Sequence, residues 1–209
     1  MMKAAALTIF LLFSFVCFAK AQTTDNATGV KRFREIRDKS FRNANETPLL
    51  NEDFLKFKGL EYFDTDEKFA VKAKLEKTSD AQIFMMPTSI GTTRKYFKYG
   101  VLTFELGGKS FSLTAFQSEI EAKKTDHQGT LFVPFRDLTN GTETYGAGRY
   151  LNIKIPSEGV VFLDFNFAYN PSCAYGSESF SCPIPPKENF LQTEIKAGEK
   201  TFPYSAKKQ

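Results

Sequence analysis

The sequence predicts a mainly β fold, namely a single-domain antiparallel sandwich or partly open barrel with a short N-terminal helical segment. From Gly59 onward, apolar residues recur with a period of two in one run after another, as half-buried strands require. Turn-forming Gly, Asn and Pro residues separate these runs at intervals of roughly 8–15 residues, and no long helical pattern lies between them. The 23 phenylalanines supply apolar volume for one core.

The N-terminal stretch, residues 1–21, has the pattern of an export signal. Lys3 supplies the positive start, Ala4–Phe18 is an apolar run of signal-peptide length, and Ala19-Lys20-Ala21 is a small-residue cleavage site. The apolar run is too short to span a membrane comfortably. Cys17 leaves lipidation as an alternative, which the residues before it do not favour. The sequence therefore predicts a periplasmic or extracellular protein with no transmembrane segment after cleavage.

The mature chain is expected to hold a disordered leader at residues 22–28, one β-rich domain at residues 29–204 and a frayed tail at residues 205–209. Gly29–Asn43 has the apolar spacing of a short amphipathic helix. The interpretation preferred here is a solvated basic face on a helix that packs against the β domain, and a membrane-surface or nucleic-acid role is the alternative. Six basic residues lie in this helix: Lys31, Arg32, Arg34, Arg37, Lys39 and Arg42.

Eight strand-like runs follow the helix. The clearest signal is the hairpin at Gly107-Gly108, because both glycines tolerate the positive φ of a tight turn. A final short run from Leu191 to Ile195 predicts the last strand. The others are Phe69–Glu76, Gln82–Met86, Tyr96–Leu106, Lys109–Gln117, Leu131–Phe135, Arg149–Ile155 and Val160–Phe167.

Polar residues concentrate at the ends of the three strands between Leu131 and Pro171. Arg136 and Asp137 follow the first of these strands, Arg149 begins the second, and Asp164 lies near the end of the third. Because an unpaired buried charge is very costly, such charges are expected to be paired. A purely structural interpretation pairs Arg149 with Asp164 to hold the intervening loop on the sheet.

A binding interpretation places a site for a small polar ligand, a sugar or an anion, at this end of the sheet. Arginines bind anionic or carbonyl groups, and tyrosines stack on sugars or other rings. The candidate ligand-binding residues are Arg136, Glu143, Tyr145, Arg149, Asp164, Asn166, Tyr169, Asn170 and Glu188.

Two other functions remain open. A hydrolase would use two of the carboxylates Asp137, Glu143 and Asp164 as catalytic groups at a controlled separation. A structural or protein-interaction module of the cell envelope would use the same residues only to hold its loops in place.

No cofactor or metal is expected. His127 is the single histidine, so the sequence lacks the residues for a multi-histidine metal site and for most Ser-His-Asp catalytic arrangements. The oxygen-rich set Asp164, Asn166 and Asn170 lacks an ordered calcium-loop spacing. Nucleic-acid binding is not expected of an exported chain whose formal charge of +4 falls when the signal is removed.

Two cysteines, Cys173 and Cys182, remain after signal cleavage. An even count in an exported protein points to one disulfide, which would close a loop of about 10 residues. A metal site or a pair of reactive thiols is the alternative, although the C-x-x-C spacing of zinc ribbons is missing.

Five motifs together resemble a known family. They read LFVPFRD from Leu131, GTETYGAGRYL from Gly141, DFNFAYNPSCAY from Asp164, CPIPP-x-EN from Cys182 and AGEK from Ala197. The string resembles the bacterial and archaeal family catalogued as domain of unknown function 1684, over a span from about Arg34 to Thr201. Where that family commonly has YGGGRY, this chain has Ala147. The resemblance implies a single domain of about this size and implies no activity.

Overall fold

The computed structural model describes residues 27–123, 129–177 and 179–203. The predicted signal segment, nearly all of the leader, the predicted tail and His127 lie outside the described residues.

Helix α1 covers residues 27–41, so the predicted N-terminal helical segment is confirmed, with a start two residues earlier than the pattern indicated. It buries Val30 and Phe41 against the β domain, while Ile36 is 58% exposed. Two single-turn helices follow, α2 at Asn51–Phe54 and α3 at Glu119–Ala122. None of the described helices is long and apolar enough to cross a membrane.

In the described part of the chain, six antiparallel strands form one sheet with the order β5-β4-β3-β2-β1-β6. The sheet curls into a half-barrel with β5 and β6 as its edges, so the partly open barrel is confirmed and the sandwich is wrong. The register of β1 shifts between Lys77 and Gln82, which divides that strand into two arms. The strand bounds are β1 Ala70–Pro87, β2 Thr93–Leu106, β3 Lys109–Ser118, β4 Thr130–Phe135, β5 Arg149–Lys154 and β6 Val160–Asp164.

The hairpin between β2 and β3 has the predicted turn. Gly107 and Gly108 have φ of 57° and 74°, the positive values that a two-residue turn between twisted strands requires. Leu102 lies opposite Leu113, and Phe104 lies opposite Phe111.

Three strand predictions differ from the structure. The two runs on either side of Thr78 belong to the single long strand β1, because a bulge absorbs the irregular residues between its arms. The third strand of the polar stretch ends at Asp164 rather than Phe167, because the Asp164 carboxylate accepts from Asn166 N at 2.8 Å and starts a 3₁₀ turn. The predicted last strand is irregular chain that runs beside the loop after β4, with Leu191 N donating to Arg136 O at 2.8 Å.

The main core lies on the concave face of the half-barrel. Leu102, Leu113, Leu131, Leu151 and Leu163 are at most 1% exposed there and pack with the rings of phenylalanines from several strands. Side chains alternate along each strand, so the residues next to these leucines project from the outer face.

A second apolar layer covers part of the outer face. Tyr96 and Phe116 pack there with Phe132, and α1 contributes Phe41 to a neighbouring cluster around the buried Tyr175. The C-terminal irregular chain therefore lies between α1 and the sheet and brings its polar residues close to both.

Candidate functional site

Arg149 is fully buried in the protein interior. Its Nη2 lies 2.9 Å from Asp137 Oδ2, and both side chains are 0% exposed. The guanidinium also donates to the carbonyl oxygens of Ile195 and Ala197. The predicted partner, Asp164, was wrong, because Asp137 follows β4 and β4 is the neighbour of the strand that Arg149 begins.

Asp137 organises the loop between β4 and β5. Its Oδ1 accepts from Thr139 N at 2.9 Å and from Ile195 N at 3.2 Å, while Thr139 and Thr144 share a hydroxyl contact of 2.8 Å. Burial lowers the pKa of the Arg149 guanidinium, and Asp137 acts in the opposite direction. The pair ties this loop and residues 195–197 to the end of β5, with neither charge open to solvent.

The other charged candidates have partners of their own. Glu143 lies at the surface 3.1 Å from Lys196 Nζ, and Glu188 lies 3.2 Å from Lys98 Nζ. The exposed Arg136 guanidinium lies 5.9 Å from the centre of the Phe190 ring.

Asp164 and Asn166 fasten the end of β6 to the chain before β1. Asn166 Nδ2 donates to Asp66 O at 2.9 Å, and Asp66 N donates to Asn166 Oδ1 at 3.0 Å. Asp164 Oδ1 accepts from the same Asn166 amide at 2.7 Å. Both residues are buried.

A cleft of about 420 Å³ lies on the outer face of the sheet, between α1 and the chain that contains the cysteines. Tyr169 and Asn170 from the predicted set line it. The remaining walls come from α1, from β2, β4 and β5, and from the segment Phe180–Pro183, with Arg37, Arg94, Tyr96, Phe132 and Tyr150 among the lining residues.

A row of aromatic rings forms the wall on the side of the sheet. Tyr96 stacks on Phe132 with ring centroids 5.4 Å apart, Phe132 meets Tyr150 edge to face at 4.7 Å, and Tyr150 meets Tyr169 at 5.8 Å. Tyr150 OH donates to Pro183 O, and Tyr169 OH accepts from Asn152 Nδ2 at 2.7 Å. The hydrogen bonds and ring contacts fix the rings, so this wall is preorganised.

Glu199 forms the buried floor beside the cleft. It is 1% exposed and accepts from Arg37 Nη2 at 3.0 Å, from Asn170 N and Nδ2 at 3.1 Å each, and from Tyr175 OH. Burial raises the pKa of Glu199, and the donors from Arg37, Tyr175 and Asn170 act in the opposite direction. Glu199 therefore positions Arg37 and does not itself reach the cleft, whose lining omits it.

Arg37 is a preorganised cation in the cleft wall. Its guanidinium stacks on the Tyr169 ring at 4.9 Å, its side chain is 18% exposed, and Glu199 is the main opposite charge that raises its pKa. Phe33, Arg37 and Phe41 are spaced four residues apart on one face of α1. This spacing was the signal in the sequence that could have separated Arg37 from the solvated basic residues of the helix.

Arg94 is the cation without a counter-charge. It lies exposed on β2, and its side chain has no ion pair or hydrogen bond with any part of the chain that the structure describes. Burial raises the pKa of the Tyr96 and Tyr150 hydroxyls, and the positive charge of Arg94 partly offsets this effect. The predicted strand began at Tyr96, whereas β2 begins at Thr93, so Arg94 fell outside the predicted strands and nothing in its neighbours marked it as a site residue.

The cysteines form the predicted disulfide, which joins Cys173 to Cys182. Cys182 lines the cleft, and its backbone is held by Ser89, whose N donates to Cys182 O at 2.9 Å and whose Oγ accepts from Cys182 N at 3.1 Å. The disulfide therefore anchors one wall of the cleft to the turn after β1.

Replacing both cysteines with serine is expected to lower the free energy of unfolding by about 2.7 kcal/mol, because the open loop gains entropy in the unfolded chain. Urea denaturation of the oxidised protein and of the Cys173→Ser/Cys182→Ser variant measures this difference. The double variant Ser177→Ala/Ser179→Ala, which alters the same exposed loop without opening it, serves as the control. Equal stability of the cysteine variant and the native protein would contradict the expectation.

In residues 27–123, 129–177 and 179–203, no group of three or more His, Cys, Asp or Glu side chains is placed to hold a metal ion. The chemistry of the cleft is that of two guanidinium groups, the Glu46 carboxylate, the Asn170 amide, tyrosine and serine hydroxyls, and aromatic rings.

Comparisons with known proteins agree with the fold. A family model described as "Protein of unknown function (DUF1684)" matches residues 55–200. The chain is also similar to an uncharacterized protein of Haloarcula marismortui whose structure was determined by NMR in solution, with 38% sequence identity and a TM-score of 0.69. That similarity covers 87% of this chain and 97% of the archaeal one. No curated protein matches the chain significantly.

Proposed function

The chain belongs to the DUF1684 family, whose description names no activity, and we propose that it binds a small polar ligand with a negatively charged group in the cleft beside α1. The observation that carries the proposal is Arg94, an exposed cation that lies at the end of a preorganised aromatic row and has no counter-charge among the described residues. A guanidinium binds carboxylate or phosphate oxygens through paired hydrogen bonds. The proposed function therefore keeps the ligand class expected from the sequence and moves its site.

The charge of the lining supports an anionic group. Arg37 and Arg94 both face the cleft, and Glu46 is the one carboxylate among its lining residues in the described chain. Arg37 is already paired with Glu199 at 3.0 Å, so Arg94 supplies the charge that is still available. Size also fits, because a cleft of about 420 Å³ lies within the usual range for small-molecule sites.

Binding is favoured over two-carboxylate hydrolysis by the same lining. Hydrolysis of that kind needs two acids on either side of the scissile bond, and among the described residues the cleft offers only Glu46. Asp137 is buried with Arg149, and Glu143 is paired with Lys196 at the surface. Together with the predicted export signal, these contacts support a binding protein for a small solute outside the cytoplasm.

The test compares Arg94→Ala with Arg136→Ala by thermal denaturation in the presence of phosphate, acetate, 3-phenylpropionate and neutral sugars. Arg136 is a matched control, since it is also an exposed arginine beside a ring but lies outside the cleft lining. An anion at about 100 times its Kd is expected to stabilise the native protein and Arg136→Ala by about 2.7 kcal/mol. Arg94→Ala is expected to lose most of that stabilisation.

Anions that stabilise all three proteins equally would show a general salt effect and contradict the proposal. So would the absence of any anion-dependent shift, or a shift that depends on Arg136 instead of Arg94.

A further inference from the structure

Glu46 is the second charge of the cleft that lacks an opposite charge. It lies exposed in the turn after α1, its Oε2 accepts from Ser40 Oγ at 3.0 Å, and its Oε1 accepts from Asn43 Nδ2 at 2.7 Å. Both donors are neutral, and in the part of the chain that the structure describes no lysine or arginine forms an ion pair with it. The carboxylate is therefore oriented by its hydrogen bonds while its negative charge stays available.

The third charged residue of the cleft lining is compensated, because Arg37 is paired with Glu199 at 3.0 Å. Among the described lining residues, this leaves Arg94 as the positive charge and Glu46 as the negative charge without an ion pair. Arg94 belongs to β2 and Glu46 to the turn after α1, so the two charges come from different walls of the cleft. A ligand with a single negative group would pair with Arg94 and leave Glu46 without an opposite charge.

We infer that the ligand is zwitterionic, with a carboxylate that pairs with Arg94, an ammonium group that pairs with Glu46, and an apolar or aromatic part that lies against the tyrosine row. Amino acids and short peptides are the chemical class with these three features. The aromatic row supports the third feature, the apolar or aromatic part, because ring contacts hold Tyr96, Phe132 and Tyr150 in place. Rings of this kind stack well on planar and cyclic groups. The inference rests on the proposed function, since it adds a second recognition element to the same site.

The experiment uses three probes that differ by one charged group, namely phenylalanine, 3-phenylpropionate, which lacks the ammonium group, and 2-phenylethylamine, which lacks the carboxylate. A dipeptide, Gly-Phe, places the two charges farther apart. Each is titrated by calorimetry into the native protein, Glu46→Gln, Arg94→Ala and the control Glu188→Gln. Glu188 is also a surface carboxylate, but it lies outside the cleft lining and pairs with Lys98.

The zwitterions are expected to bind the native protein more tightly than 3-phenylpropionate, by about two- to fivefold, the strength of an exposed ion pair. Glu46→Gln is expected to remove that preference and leave the affinity for 3-phenylpropionate unchanged or slightly higher. Glu188→Gln is expected to behave as the native protein. Thermal denaturation without ligand checks that each variant is folded.

Two results would overturn the inference and still leave the proposed function standing. If 3-phenylpropionate binds in an Arg94-dependent way while neither zwitterion binds more tightly, the site binds simple anions and the inference of a zwitterionic ligand is wrong. A preference for zwitterions that survives in Glu46→Gln would also refute the role of Glu46. If Arg94→Ala changes the affinity for none of the probes, the proposed function fails as well.

Discussion

Replacing Arg149 with methionine is expected to lower the free energy of unfolding by about 3–5 kcal/mol. Methionine fills much of the same volume but leaves the Asp137 carboxylate, 0% exposed, without its charge partner. The carbonyl oxygens of Ile195 and Ala197 also lose their donor. Equilibrium urea denaturation, followed by circular dichroism, measures the loss.

Two further variants separate charge from packing. Arg136→Met, the neighbouring exposed arginine, is expected to change stability by less than about 0.5 kcal/mol. The double variant Asp137→Asn/Arg149→Met is expected to be more stable than Arg149→Met alone, because asparagine keeps the acceptor for Thr139 and removes the uncompensated charge. If Arg149→Met costs no more than Arg136→Met, the buried pair has no role in stability.

Replacing Gly198 with alanine is expected to cost about 3 kcal/mol or more. Its φ of 76° belongs to the left-handed region, and an added Cβ would lie 2.6 Å from Ala168 O and 2.8 Å from Phe165 O. The approach is close because Glu199 N donates to Ala168 O at 2.9 Å. Thermal and urea denaturation of Gly198→Ala measure the effect.

Gly107→Ala is the matched control, because Gly107 also has a positive φ, 57°, but an added Cβ there would meet nothing within 4 Å. Its expected cost is about 1–2 kcal/mol, the conformational part alone. Equal losses in the two variants would mean that the contact with Ala168 and Phe165 relaxes without cost, which would contradict the structural explanation for Gly198.

The parts of the fold that the sequence predicted are those with local causes. The β2–β3 hairpin follows from two glycines between alternating apolar residues, and α1 follows from apolar spacing over residues 27–41. The disulfide was predicted from the two cysteines that remain once the predicted export signal is removed. The strand predicted at Leu191–Ile195 failed because those residues bond to a loop rather than to a sheet edge.

The candidate site was harder to predict because its contacts connect distant parts of the chain. Arg37 and Glu199 are 162 positions apart, and no local pattern indicates that one buried carboxylate orients an arginine on the first helix. Two of the predicted residues, Tyr169 and Asn170, line the cleft in which we propose that the ligand binds. The sequence also grouped Arg149 with them, since a strand-end arginine has the same pattern whether it faces a ligand or the core.

Two buried networks depend on the five residues 195–199, and this dependence has a consequence for the order of folding. Residues 195 and 197 supply acceptors for Arg149, and Glu199 supplies the partner of Arg37. During synthesis, the first helix and the fifth strand are complete long before these residues leave the ribosome. Because contacts between residues far apart in the chain form slowly, the nascent chain stays without these polar anchors until residues 195–199 have been made.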